Sequence, residues 1–440
     1  MRGQDRSALT RLLRSGKSAQ AMALAGQKMA GQALAVASTI VLLKLSSAQD
    51  YGTYIYAFVL VQIIAIFSTF GLVPLLVRTH ARTHDESGRR IDGGAEAMGF
   101  AIIVTALLSV VGVAVMWLLA TYTGKIPPSA IWLLPALGIL RLLGGKLQGL
   151  GRLQLSQLSE ALLIPLFMIT AGAGLSIMLG RSLTADDLVR LYFAALIVCI
   201  LFCVVALSRR KSAEDGERPL STHEGYRSLA NTAFAMGIGA SVLVLNRQVD
   251  LLLVGTFLTP EMVAYYKVGA QIAYLVPFGL QIGSVILARE FAASAARSDL
   301  FRLKGTLRQA AILITAIALG VYGGIVLLGS LVASWMLAGP STPTHMVMLI
   351  LGAGLLFSAM AGNIGNLLNM TGNHWLNSRV MITSAVLNLA LNYVLISWIG
   401  LAGAAIATCL TLIFTNLTQV IFARRTIGLS TDIVYALSRK

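Results

Sequence analysis

The sequence predicts an all-α integral membrane protein with twelve transmembrane helices in two six-helix bundles related by a parallel pseudo-twofold repeat. Composition, the spacing of apolar runs and the placement of basic residues carry that expectation. Of 440 residues, 57% are hydrophobic and only 12% charged, and the mean hydropathy is +0.79. Soluble domains carry about 25% charged residues. A chain this apolar has too little polar surface to cover itself in water, which excludes a soluble enzyme. The formal charge is +16, and in a membrane protein an excess of Lys and Arg reports topology before it reports a ligand.

A spanning helix needs about 20 mostly apolar residues. That ruler gives segments at 20–45, 52–77, 97–120, 128–147, 156–179, 187–207, 228–257, 264–288, 308–337, 345–369, 379–398 and 401–423. Alternate connections, starting from the N-terminus, hold 27 of the 34 basic residues, and the opposite set holds three: Lys44, Lys125 and Arg181. The split predicts an even number of spans with both termini cytoplasmic. Trp117, Trp132, Trp335, Trp375 and Trp398 fall at or near segment ends, where an amphipathic ring prefers to sit. Gln20, Gln27, Lys28 and Gln32 interrupt the first apolar run, so it reads as a retained helix and not as a cleaved leader.

The polar stretch 208–227 divides the chain into bundles 1–207 and 228–440. An internal repeat links them: Gly144, Leu147 and Gly151 match Gly365, Leu368 and Gly372 at a constant offset of 221 residues. A looser echo, needing a three-residue shift, links Gln49 to Tyr54 and Phe70-Gly71-Leu72 with Glu261 to Tyr265 and Phe278-Gly279-Leu280. Each half has six spans, so both sit the same way up, as in parallel-repeat transporters.

These residues resemble the polysaccharide transport branch of the MOP superfamily. The resemblance rests on Ser46-Ser47-Ala48-Gln49-Asp50-Tyr51-Gly52-Thr53-Tyr54, on Phe70-Gly71-Leu72, on Asp250-Leu251-Leu252-Leu253-Val254-Gly255 with Tyr265, and on Gly365-Asn366-Leu367-Leu368-Asn369-Met370-Thr371-Gly372. It implies a MATE-like fold and a bacterial inner-membrane flippase that moves polyprenyl-pyrophosphate-linked oligosaccharide units during cell-surface polysaccharide biosynthesis. It also implies alternating access coupled to H⁺ or Na⁺, membrane lipids as surroundings, and a polymerase or export complex as neighbour. No cofactor or nucleic acid is expected. The alternative is a MATE-type exporter of drug or metabolite cations. Such exporters usually use an acidic residue in their first helix, where this chain has Lys28 and no carboxylate.

Ionisable groups inside spans cost at least about 2.5–3.5 kcal/mol on insertion scales and so face protein or water. In segment 8, Lys267, Gln271, Tyr274, Gln281 and Ser284 recur on one helical face around Pro277; they read as a cavity wall or a hydrogen-bonded packing face. Lys28 lies about 14 Å into segment 1, facing either a carboxylate or an anionic substrate. Arg247 and Asp250 stand at i and i+3 and read as a structural pair, or as an anion contact whose partner exchanges for phosphate. Asp250 and Glu160 are the ion-coupling candidates, although for Glu160 a pairing with Lys146 or Arg141 is the favoured reading. Asn363, Asn366, Asn369 and Asn373 form an amide stripe that either bridges helices or meets sugar hydroxyls. Lys28, Arg247, Lys267, Gln271, Tyr274, Gln281, Asn366 and Asn369 make up the expected substrate contacts.

Other motifs fail. Gly16-Lys17-Ser18 lacks the first glycine of a phosphate loop and a preceding strand. His80 and His84 lie in a basic loop, and Cys199, Cys203 and Cys409 lie within helices as small apolar fillers. No metal, redox or enzymatic chemistry is expected.

Overall fold

In lipid a backbone has no water to bond, so apolar runs satisfy their own N–H and C=O groups as helices. In the computed structural model, which describes residues 16–81, 94–208, 222–280, 300–337, 341–427 and 430–438, helices account for nearly all of the described chain, and the one extended pairing is a single bridge between Ser46 and Leu183. The N-terminal half contains α1 (Gly16–Leu45), α2 (Ala48–Ser68), α3 (Leu72–Ala81), α4 (Gly94–Thr123), a 3-10 turn (Pro128–Trp132) leading into α5 (Leu133–Gly149), α6 (Leu153–Leu179) and α7 (Ala185–Ser208). The C-terminal half contains α8 (Thr222–Phe257), α9 (Pro260–Ala273), α10 (Leu300–Met336), α11 (Thr342–Ala361), α12 (Ile364–Met370), α13 (His374–Ile399), α14 (Leu401–Thr426) and the short α15 (Ile433–Ser438). Among the described residues, ten helices are long and apolar enough to cross a membrane, or eleven if α8, bent by 48° between Gly225–Val242 and Val244–Phe257, is one span.

Three expected spans are discontinuous. Segment 2 breaks at Gly71, whose φ of 67° favours a residue without Cβ, and continues as α3. Segment 10 breaks at Gly362, φ 75°, between α11 and α12. Segment 8 leaves the helix after Ala273 and turns through Tyr274 to Pro277, as the missing N–H of the proline favours. Its Gln281 and Ser284 lie outside the described residues. The 221-residue echo falls on two identical turns: Arg152 N–H donates to Leu147 O at 2.8 Å, and Asn373 N–H to Leu368 O at 2.9 Å. Gly151 and Gly372 stand in these turns with φ of 75° and 81°.

The charge-poor connections and the basic connections are each tied together by polar contacts. On the charge-poor face, Ser47 caps α2 by accepting from Asp50 N–H, and the Asp50 carboxylate accepts from Ala185 N–H at 3.1 Å, tying the α1–α2 and α6–α7 connections together. On the basic face, Arg152 donates to Ala206 O and Gln27 to Gln154 O. All five tryptophans are exposed, as rings at the rim of a lipid-facing surface should be.

The halves meet along α2, which packs on α8 and α9. Glycines permit backbone approach there: a Cβ on Gly52 would collide with Pro260 O near the charge-poor face, and one on Gly71 with Ala233 O near the basic face. Gly145 and Gly149 let α5 lie on α3, where Val73 and His80 fill the space a Cβ would need. At Gly320 and Gly324, the same spacing on α10, a Cβ meets nothing within 4 Å, so that motif does no close packing among the described residues. Polar contacts fasten the halves at the charge-poor face. Lys44 stands 4.2 Å from the Trp335 ring centre. Lys125 donates to the carbonyls of Gly255 and Thr256 at 3.3 Å, placing a cation on the negative end of α8.

Candidate substrate cavity

A cavity of about 330 Å³ opens within the N-terminal half and is closed on one side by α9 of the other half. Its charged lining groups are Arg141 of α5, Glu160 of α6 and Lys267 of α9. Each is placed by a local feature. Arg141 lies in the middle of α5, and its guanidinium donates to Gln62 Oε1 of α2. Glu160 stands in a π turn, Ser159–Leu163, inside α6. Pro165 explains that turn, because its ring crowds the Ala161 carbonyl and lacks the N–H to bond it, so the helix widens. Glu160 keeps its surface open to the cavity and interacts electrostatically with Arg141. Lys267 also interacts electrostatically with Asp250 of α8, without forming an ion pair with it.

The rest of the lining divides into an aromatic wall and a polar strap. Tyr51, Tyr54, Phe58 and Tyr192 form the wall, with Tyr54 and Tyr192 ring centres 6.3 Å apart and Phe58 edge-on to Tyr192 at 5.1 Å. The strap crosses between halves: Tyr51 Oη donates to Thr39 Oγ1 at 3.2 Å, and Thr39 donates to Gln271 Oε1 at 2.8 Å. Two guanidinium or ammonium groups against one carboxylate leave the chamber net cationic. Aromatic faces and amide and hydroxyl groups suit the two sides of a sugar ring.

Several expectations change. Lys267 and Gln271 line the cavity, whereas Tyr274 is exposed beyond the end of α9 and is not part of the lining. Arg141, counted above among the basic loop residues, is a cavity residue. It lies inside segment 4, six positions before its end, so its depth was the missed signal. Lys28 is exposed and outside the lining, two helical turns or about 10 Å toward the basic face from Ala35, on the face of α1 that lines the cavity. Arg247 and Asp250 form no ion pair. The three ion pairs among the described residues are Arg181–Asp187, Arg190–Asp186 and Arg424–Asp432. Asp250 instead accepts from Tyr266 Oη at 2.8 Å, and exposed Arg247 interacts with Tyr274. The i,i+3 spacing permitted the pair, but Asp250 is drawn inward by the hydroxyl while Arg247 stays exposed. Of the asparagine stripe, Asn369 bridges helices, accepting from Asn377 Nδ2 at 3.0 Å, with Asn377 Oδ1 in turn accepting from Gln419 at 2.8 Å, whereas Asn366 bonds locally to Asn363 Oδ1 at 2.8 Å and Asn373 to Thr371 O at 3.3 Å. Asn366 and Asn369 lie on the basic face, outside the cavity lining.

This architecture is that of a multi-pass membrane protein, and its fold is shared with solved transporters. The chain is similar to an inward-facing multidrug resistance MATE transporter of the MOP superfamily, with TM-score 0.69, 15% identity, and 90% of this chain and 94% of that one covered. For an outward-facing MATE structure the TM-score is 0.61, at 15% identity and 95% and 97% coverage. The lipid II flippase MurJ in an inward closed conformation gives TM-score 0.66, 14% identity and 92% and 87% coverage. No curated protein matches the sequence. The chain belongs to the polysaccharide biosynthesis protein family, whose model matches residues 19–286.

Proposed function

We propose that the protein flips a polyprenyl-pyrophosphate-linked oligosaccharide across the bacterial inner membrane, from a cytoplasmic basic face to an extracytoplasmic charge-poor face. The observation that carries this reading is the net-cationic, tyrosine-walled cavity formed by Arg141, Lys267, Tyr54 and Tyr192. A pyrophosphate needs forked or multiple donors, and Arg141 and Lys267 supply them from the two halves. Lys28 lies below on the same helix face and offers an anion its first contact. The contacts at Lys44, Lys125 and Gly52 hold the charge-poor side together, consistent with a substrate that loads from the basic face. Opening those contacts while the bundles rock would reverse access, with the lipid tail remaining in the bilayer. Family membership supports polysaccharide biosynthesis as the setting, and the MurJ neighbour makes a lipid-linked anion a fitting cargo.

Reconstitution into liposomes tests this. With a lipid-linked oligosaccharide placed in one leaflet, headgroup accessibility from the other should rise with the wild-type protein and stay at background with Arg141→Ala. Efflux of cationic dyes without movement of any anionic glycolipid would instead establish cation export and reject the proposal.

A further inference from the structure

A second cavity, of about 450 Å³, opens at the charge-poor end of the N-terminal half, between the 3-10 turn before α5 and the first turns of α7. Pro128, Ser129 and Trp132 line it from the turn and Asp186, Arg190 and Phe193 from α7, and none of them lines the tyrosine-walled cavity. Ser129 fastens the two elements by donating its hydroxyl to Asp186 Oδ1. Asp186 Oδ2 meets Arg190 Nη2 at 2.6 Å, one helical turn on. That ion pair is open, with the Arg190 side chain 71% exposed, and exposed pairs are held weakly enough to exchange partners. The Trp132 ring, also exposed, stands beside it at the level where such rings meet the membrane interface.

The apolar side of the site continues past its rim. Arg190, Phe193, Ile197 and Leu201 recur at intervals of three or four residues and so share one face of α7. Ile197 and Leu201 are exposed, as is Ile139, seven residues beyond Trp132. A charged head region at the interface therefore joins an apolar stripe that runs toward the bilayer centre. The head region is neutral overall, one carboxylate against one guanidinium. A purely anionic headgroup would be repelled by Asp186 and a simple cation by Arg190, but a headgroup that carries both signs satisfies both.

We propose that this cavity binds the headgroup of a zwitterionic aminophospholipid, phosphatidylethanolamine, with Arg190 on the phosphate, Asp186 and Trp132 on the ammonium, and the acyl chains along Phe193, Ile197 and Ile139. A guanidinium fork matches phosphate, a carboxylate accepts from a primary ammonium, and an indole face attracts a cation. Side chains at i and i+4 stand about 5–6 Å apart at Cβ, a span that the two-carbon link between phosphate and ammonium covers. Phosphatidylcholine offers Asp186 no N–H, and phosphatidylglycerol brings no cation. A free glycan would leave the apolar stripe bare. Because the site joins α5 to α7, which carry Arg141 and Tyr192, a bound lipid braces two walls of the tyrosine-walled cavity.

The test is native mass spectrometry of the delipidated full-length protein, titrated with phosphatidylethanolamine, phosphatidylcholine and phosphatidylglycerol of the same acyl chains, and with a free oligosaccharide. The wild-type protein should bind phosphatidylethanolamine about tenfold more tightly than either other lipid, the scale of one charged hydrogen bond, and should melt at a higher temperature with it bound. Arg190→Ala and Trp132→Ala should each remove about tenfold of that affinity. Asp186→Asn, which keeps an oxygen for Ser129, should erase the preference over phosphatidylcholine. Arg181→Ala, which breaks the neighbouring pair with Asp187, should change neither. The exposed Trp132 ring keeps the test decisive where an Asp186 variant does not fold. Equal wild-type affinity for the three lipids would overturn the proposal. So would a preference that survives both Arg190→Ala and Trp132→Ala, or a protein that takes the free oligosaccharide at this site and no lipid.

Discussion

The two halves bury polar groups in opposite ways. In the N-terminal half, helices stand apart around a chamber, and Arg141 and Glu160 expose their charges to it. In the C-terminal half, α13 and α14 pack against each other through a ladder of hydrogen bonds: Asn377 with Gln419, Ser384 with Thr415 at 2.7 Å, and Asn388 with Thr411. Gly403 allows the close approach, since a Cβ there would collide with Leu395 O. The difference teaches what intramembrane polarity is for. Neutral amides and hydroxyls satisfy one another and hold helices together, at about 0.6 kcal/mol for a typical interhelical bond. Full charges remain only where a cavity or a counter-charge keeps them, and such residues mark function.

That contrast breaks first at Arg141. Replacing it with Ala should abolish flipping and weaken binding of an anionic headgroup by about 30-fold, the loss of a charged hydrogen bond of about 2 kcal/mol, while the protein still inserts and purifies. Lys267→Ala should cost about tenfold in the same binding assay, about 1.4 kcal/mol. Thr415→Val, in the C-terminal ladder, should leave anion binding unchanged and lower unfolding stability by about 0.6 kcal/mol. Equal effects of Arg141→Ala and Thr415→Val on binding would erase the distinction between the halves.

The smallest effect concerns the C-terminal tail. Thr431 donates to Ala361 O at 2.9 Å, pinning the break between α11 and α12, and Asp432 pairs with Arg424 at 2.7 Å. Burial opposes ionisation of Asp432, but hydrogen bonds from Arg424, Ser430 and Tyr435 N–H outweigh it and hold the carboxyl below its usual range. A depressed carboxyl stabilises the fold above its unfolded value of about 3.9, and that contribution is lost as pH falls through the lower folded value. Asp432→Asn should therefore melt slightly below the wild-type protein at pH 7, and the gap should close as the medium is acidified below about pH 4.

Much of the fold was legible in the sequence. Apolar length gave ten or eleven of the twelve expected spans among the described residues, because lipid imposes that constraint locally. The breaks at Gly71 and Gly362 were not anticipated, since hydropathy runs straight through a glycine in a left-handed conformation. The site was half legible. Lys267, Gln271 and Glu160 announced themselves as polar residues inside spans. The partnership of Asp250 with Tyr266 was hidden, because it joins α8 to α9 in space while Arg247 is nearer in sequence.

The central claim is that Arg141 and Lys267 hold an anionic headgroup. Equilibrium binding of a polyprenyl-pyrophosphate-linked oligosaccharide to the protein in nanodiscs, wild type against the Arg141→Ala/Lys267→Ala double variant, tests it most directly. Saturable wild-type binding that the double variant loses is the predicted result. Unchanged affinity in the double variant, with binding lost in Glu160→Gln and displaced by organic cations, would contradict it.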